Sequence, residues 1–173
     1  LRGQENMLKR ILRLLGVNQA SSPGWEADDV IATVVERYKG KSRIGILSGD
    51  RDLIQLVQPG VTLIRPLPKG QFEILTPETV QSSLGISPRQ ILDYKALAGD
   101  TSDNIPGAKG VGEVTATKLI QEHKTWTQAL AWADSTPTSK LAMKLIASRE
   151  EVALSARLAA LNPKAPLEFI DPA

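Results

Sequence analysis

At 173 residues the chain is long enough for one well-buried core with a smaller lobe attached, and with 42% hydrophobic and 23% charged residues it is not an intrinsically disordered composition. The absence of cysteine excludes disulfides, thiolate metal sites and cysteine nucleophiles and fits a reducing cytoplasm, and no apolar run approaches the roughly 20 residues that cross a bilayer. A net charge of +2 is too small to point at nucleic acid by itself, so the distribution of charge has to carry that question. Leu1-Arg2-Gly3-Gln4 has no signal-peptide pattern, and because the first residue is not Met a fragment of a longer chain is expected.

Gln4 to Leu15 is predicted as an amphipathic helix ended by Gly16, with Met7, Leu8, Ile11, Leu12, Leu14 and Leu15 at helical spacing and Lys9, Arg10 and Arg13 on a solvating face. Val17 to Ser22 reads as a short strand or loop before the turn at Pro23-Gly24. Glu26 to Lys39 follows as a helix with Ala27, Val30, Ile31, Val34 and Val35 inward. Arg43 to Leu47 looks like a buried parallel strand, and Ser48 to Asp52 sits at its carboxyl end, where ligands gather in open α/β sheets. A short helix over Leu53 to Val57 and two strands, Val61 to Arg65 and Phe72 to Leu75, around Pro68-Lys69-Gly70 complete this half.

Thr76-Pro77-Glu78 has the order of an N-cap, a first-turn proline and a first-turn acid, giving a helix that Gly85 ends. Ser87-Pro88-Arg89-Gln90 is a capping-box arrangement opening a helix toward Ala98, with Ile91, Leu92, Ala96 and Leu97 buried. If that helix runs on for another turn, Asp100 and Asp103 share one face, and Asn104 and Pro106 stop it. Gly107, Gly110 and Gly112 then form a tight turn into a helix over Val111 to Glu122, packed through Val114, Leu119 and Ile120, whose first amides are free to bind phosphate. Lys109 and Lys118 lie near that track. Trp126 to Trp132, Ser139 to Ala147 and Glu150 to Leu161 read as three more helices, with Trp126, Trp132 and Met143 in the core and His123 at a helix end. Pro163 to Ala173 is expected to be a linker or frayed tail.

The acids fall in three groups: Glu26, Asp28 and Asp29; Asp50 and Asp52; Asp100 and Asp103. Capping and the helix macrodipole account for one acid at a helix start, but gathering several costs repulsion unless a cation offsets it. Seven oxygen donors with no His or Cys among them select hard cations, Mg²⁺ or Mn²⁺ over Zn²⁺, and paired ions of this kind serve phosphoryl chemistry. If these seven of the nineteen acids form one cluster, the 21 Lys and Arg outnumber the remaining acids by nine, a basic surface suited to a polyanion held near metal ions. Scattered caps and exposed charges are the competing account.

Glu26-Ala27-Asp28-Asp29, Ser48-Gly49-Asp50-Arg51-Asp52 and Gly99-Asp100-Thr101-Ser102-Asp103-Asn104-Ile105-Pro106-Gly107-Ala108-Lys109-Gly110-Val111-Gly112, in this order and spacing, resemble the 5′-nuclease family, which includes flap endonucleases and the 5′-to-3′ exonuclease domain of bacterial DNA polymerase I. The resemblance implies a Rossmann-like, PIN-like α/β core, present here as its C-terminal part over residues 1–98, an all-α helix-hairpin-helix lobe over 99–162, and a tail over 163–173. It implies that Glu26, Asp28 and Asp29 serve one metal position and Asp50, Asp52, Asp100 and Asp103 another. The hairpin at Gly107, Lys109, Gly110 and Gly112, with Lys118, would grip duplex phosphates and hold a K⁺ ion. The implied activity is metal-dependent hydrolysis of flapped, nicked or branched DNA in replication and repair, by a monomer in the bacterial cytoplasm with a polymerase domain as neighbour. The family carries further Asp, Arg and Lys residues ahead of this region, and residues 1–25 contain no Asp, so the chain alone is expected to be poorly active. A DNA-binding module without turnover, and a different Mg²⁺-dependent phosphohydrolase, are the other readings.

Overall fold

The computed structural model describes residues 2–170. In chain order it forms α1 (Arg2–Leu14), β1 (Gln19–Ser21), α2 (Ala27–Tyr38), β2 (Ile44–Leu47), β3 (Val61–Pro66), β4 (Phe72–Leu75), α3 (Pro77–Leu84), α4 (Ile91–Ala98), α5 (Glu113–His123), α6 (Trp126–Ser135), α7 (Lys140–Ala147), α8 (Arg149–Ala159) and β5 (Glu168–Ile170), with 3-10 turns at Asp52–Leu56, Pro68–Gly70 and Pro88–Gln90. Two compact units result, one made of the chain up to Tyr38 and from Leu161 on, the other of Lys39–Ala160.

In the first unit, the stretch expected as a tail is tied down. β5 pairs antiparallel with β1, Ser21 opposite Glu168. Ser22 Oγ donates to the Pro166 carbonyl at 2.8 Å, Ala165 N donates to Thr33 Oγ1 at 3.0 Å, and Asn162 N donates to Asp29 Oδ1 at 2.7 Å. Pro163 and Pro166 lack only the N–H donor, and Pro166 bonds through its carbonyl, so a proline-rich composition does not stop this segment from docking. On α2 the buried positions are Ala32, Thr33 and Val35, while Ala27, expected inward, is exposed because it opens the first turn. α1 has the predicted amphipathic pattern, yet Met7, Leu8, Ile11, Leu14 and Leu15 are all exposed.

The second unit is built on a three-stranded sheet in the order β2-β3-β4, β2 parallel and β3-β4 antiparallel. β2 is therefore an edge strand buried on one face only: Ile46 faces the core, Gly45 and Leu47 do not. Leu53, Val57, Val61, Leu63 and Val80 fill the core beneath it. α3 starts where the sequence indicates, Thr79 N donating to Thr76 Oγ1 at 3.3 Å and Thr76 N to Thr79 Oγ1 at 2.8 Å, and Gly85 at φ 72° ends it. α5, α6 and α8 pack on α4 and α7 packs on α6, where alanines at 129, 133 and 142, fully buried, let helix axes approach closely. Trp126 and Trp132 are half-buried, Trp132 stacking on His123 with ring centroids 4.9 Å apart at the end of α5. Two expected core residues point outward instead: Met143 is 51% exposed and Val114 72%. Each lies on the solvent side of its helix, α5 burying Ala116, Leu119 and Ile120 instead and α7 burying Ala142 and Leu145.

Asp93 joins α4 to α6 by accepting from Trp126 N at 3.0 Å. Burial pushes its carboxyl above the usual range, the bond from Trp126 N only partly opposing this. A raised folded pKa means that the group's stabilising contribution is present below the unfolded value and lost as pH rises through the folded one. Asp93→Asn keeps the acceptor without the charge, so its thermal midpoint is expected to match or exceed the parent's at pH 7, the advantage vanishing in a scan carried below pH 4. A lower midpoint at pH 7 would contradict this.

Candidate metal centre and nucleic-acid interface

α4 does not run on through the acids. Gly99, at φ 75° and ψ 179°, ends it, and Asp100 and Ile105 exchange two backbone hydrogen bonds of 2.8 Å each across a tight loop in which Asn104 is left-handed at φ 57°. Asp100 and Asp103 are thus brought together by a loop, not by a helix face, and Gly99, not Asn104 or Pro106, is the stop. Within the loop Asp100 Oδ1 accepts from Ser102 N at 2.9 Å and from Ser102 Oγ. Asp52 arrives from the turn beyond β2, its amide donating to Asp50 Oδ1 at 2.9 Å, while Asp50 N donates to Ser48 Oγ at 3.1 Å.

Asp52, Asp100 and Asp103 each offer a carboxylate oxygen, all within 4.8 Å of one another. Between them lies the ammonium of Lys95, only 6% exposed. It is bonded to Asp52 Oδ1, lies 2.8 Å from Asp100 Oδ2 and 3.8 Å from Asp103 Oδ2. The bond from Lys95, followed by those from Ser102, holds the Asp100 carboxyl down at about 2. Burial alone would lower Lys95, but its bonds to Asp100 and Asp52 carry it above its ordinary value. Asp52 shifts the other way from Asp100: burial raises it, and Lys95 offsets only part of that. The geometry behind these shifts is one ammonium shared among three carboxylates.

Glu26, Asp28 and Asp29 belong to the other compact unit. Glu26 is exposed ahead of α2, with its carbonyl accepting from Val30 N at 3.2 Å; Asp28 and Asp29 are half-buried in the first turn, where Asp29 holds Asn162.

The hairpin sorts its glycines into different jobs. At Gly107, φ 63°, a Cβ would lie 2.3 Å from Gly99 N and 2.6 Å from the Ala98 carbonyl carbon, so two backbone segments touch there. Its amide is spent on Ser155 Oγ at 2.9 Å, and that of Lys109 on Ser148 Oγ at 3.0 Å, both serines buried on the α7–α8 side. Neither amide is left for phosphate. Gly110, φ 74°, presents its carbonyl to Lys144 Nζ at 3.2 Å. Gly112 precedes α5 with no side-chain cap, and the first intrahelical bond is Ala116 N to Gly112 O at 2.9 Å, so the amides of Glu113, Val114 and Thr115 have no intrahelical acceptor. Lys109 and Lys118 are exposed, and an open pocket of about 710 Å³ is lined by Lys109, Gly110, Lys144, Ser148 and Glu151 among others. Lys95, Lys144, Ser148 and Ser155 escaped sequence reasoning; the only signal was Lys95 itself, a charge placed directly before the buried pair Ala96-Leu97.

Two family models cover almost the whole chain: the N-terminal resolvase-like domain of 5′-3′ exonucleases matches residues 1–85 and the C-terminal SAM fold of the same enzymes matches 86–171. The chain belongs to the 5′-3′ exonuclease family. Among its relatives, DNA polymerase I of Bacillus caldotenax is 40% identical over 166 residues, and the thermostable DNA polymerase I of Thermus thermophilus 39% over 163; each alignment takes in 94% of this chain and 19% of the relative. The chain thus spans about a fifth of the length of these relatives. Its 5′-3′ exonuclease fold is also that of the bacteriophage T5 flap endonuclease, solved as a pseudo-enzyme-product complex with DNA and metal ions, at a TM-score of 0.68 and 23% identity over 80% of this chain and 51% of that one.

Proposed function

We propose that this chain carries the metal-dependent part of a structure-specific 5′-to-3′ exonuclease or flap endonuclease, acting on 5′-flapped, nicked or branched duplex DNA in replication and repair. The observation that carries this reading is that Asp100 and Asp103 converge on Asp52 in a loop separated from the hairpin only by Ile105-Pro106. A donor set made only of carboxylate oxygens fits Mg²⁺ or Mn²⁺. Such ions, when bound, activate a water and stabilise the leaving oxygen of a phosphodiester. Asp52, Asp100 and Asp103 hold the ion, with Asp50 fixing Asp52 from behind and Ser102 fixing Asp100. Glu26, Asp28 and Asp29 are assigned to a second ion. The open amides at the start of α5, with Lys109 and Lys118, hold the duplex backbone and so set how far the strand reaches toward the acids. A K⁺ ion at the hairpin belongs to the same proposal, as do a monomeric state, a polymerase domain as neighbour and a cytoplasmic setting at the nucleoid.

The test is cleavage of a 5′-flapped duplex, with Mg²⁺ and with EDTA, by the chain in its natural protein context. Salt-dependent binding with no Mg²⁺-dependent product would favour a binding module over the nuclease. The hairpin is tested separately by Gly112→Val. At φ −92° and ψ 179° Gly112 is in an extended conformation open to any residue, with nothing within 4 Å of an added Cβ, so the variant is expected to fold. The branched side chain obstructs phosphate at the helix start, and duplex affinity in EDTA is expected to fall roughly tenfold. An unchanged affinity in the folded variant would remove these amides from the interface.

A further inference from the structure

We infer that Lys95 is a resident cation occupying the seat of a divalent ion: it keeps Asp52, Asp100 and Asp103 gathered when no metal is bound, and it sets metal affinity by competing for Asp52 Oδ1 and Asp100 Oδ2. The inference rests on the reading of this trio as a metal centre. Three carboxylates within 4.8 Å repel one another and would spread apart without a partner. Lys95 supplies one, and it cannot retreat, since its side chain is only 8% exposed and it sits on α4 between buried Ile91 and buried Ala96 and Leu97. A buried ammonium persists only when paired, so lysine and acids hold each other in place.

The charge that remains decides what the trio accepts. Three carboxylates and one ammonium leave two negative charges, which a single divalent ion neutralises; a second would have to draw its ligands from elsewhere. The open seat is on the Asp103 side, because the Asp103 side chain is 53% exposed and stands 3.8 Å from the ammonium, while Asp52 and Asp100 are in direct contact with it. An ion entering there shares oxygens with a like charge, so affinity is held below what three free carboxylates would give.

The experiment is Mn²⁺ binding by calorimetry on the full chain, with thermal midpoints in EDTA and in saturating Mn²⁺, for the parent, Lys95→Met, Lys95→Arg and Asp100→Asn. Lys95→Met is expected to lower the midpoint in EDTA, to bind Mn²⁺ on the order of tenfold more tightly, and to show a larger midpoint rise on Mn²⁺ addition. Equal or weaker Mn²⁺ binding would overturn the inference. If Lys95→Met is unfolded in EDTA, Mn²⁺ is expected to fold it, and a variant that stays unfolded at saturating Mn²⁺ would make Lys95 a purely structural residue. Lys95→Arg keeps the charge and is expected to bind Mn²⁺ no more tightly than the parent; tightening equal to that of Lys95→Met would rule out charge as the cause. Asp100→Asn separates the two levels, since unchanged Mn²⁺ affinity there would sink the metal-centre reading itself, whereas a loss of affinity there with no tightening in Lys95→Met sinks only the role of Lys95.

Discussion

The double variant Asp100→Asn, Asp103→Asn is expected to lose Mg²⁺-dependent cleavage of a 5′-flapped duplex by about 10³-fold or more, while its duplex affinity in EDTA stays equal or improves. The loss follows from what the two carboxylates do. Metal charge stabilisation at a phosphoryl centre is worth several kcal/mol, and each 1.4 kcal/mol is a factor of ten in rate. The affinity change has the opposite sign because two acids close to the hairpin repel a polyanion when no cation covers them. Stability separates this outcome from simple unfolding. Asp100 is held at about 2 by its bonds to Lys95 and Ser102, below an ordinary carboxyl. A depressed folded pKa contributes stability that is present above the unfolded value near 3.8 and is lost as pH falls toward 2. The variant's midpoint deficit in EDTA should therefore be full at pH 7 and shrink below pH 4. Lys95 keeps Asp52 as a partner, so the variant remains folded at neutral pH. Cleavage at the parental rate by the folded double variant would remove both acids from the metal centre.

Local signals in the sequence were strong where a single residue controls a single conformation. Thr76-Pro77 and Gly85 bracket α3 as read, because a cap acts on its own turn and needs no distant partner. The same holds for the hairpin glycines Gly107 and Gly110, both at positive φ, whereas the loop that brings Asp100 to Asp103 was not legible, because Gly99 ends α4 ahead of them and the sequence carries the helix on. What escaped is what depends on partners far away in sequence. Ser148, at the junction of α7 and α8, and Ser155, inside α8, are small polar residues, and nothing near them says that they satisfy hairpin amides 39 and 48 positions away. Lys95 reads as one more helix-surface charge until Asp52, 43 residues earlier, comes alongside. The cation needed to offset the acids' repulsion was expected to be a metal; one is already present in the chain. β5 was missed because three residues of strand carry too little pattern to outweigh two prolines. α1 was read correctly as amphipathic, but amphipathicity says which face is apolar and not whether anything described covers it.

Gly107→Ala is expected to cost roughly 3 kcal/mol or more, and with it the hairpin's geometry. Two costs add. The residue sits at φ 63°, where an L side chain is strained by about 1 kcal/mol, and its Cβ would fall 2.3 Å from Gly99 N and 2.7 Å from Gly99 Cα, which are backbone atoms with no rotamer by which to yield. Gly99 in turn has Ile105 O 2.7 Å from its own ideal Cβ position, so the two glycines are mutually necessary and neither can be relieved by shifting toward the other. Pushing them apart would pull Gly107 N off the buried Ser155 and loosen the Asp100–Ile105 bridge that positions the acids. For a chain of this size the thermal midpoint should fall by about 10 °C. Mn²⁺ and duplex binding should weaken together, because one strained contact supports both sites. Gly112→Ala is the matched control: the same added methyl group meets nothing within 4 Å, and its midpoint should stay within about 1 kcal/mol equivalent of the parent. If Gly107→Ala keeps the parental midpoint and both affinities, the close approach of the two backbones does not hold the acids and the hairpin in register.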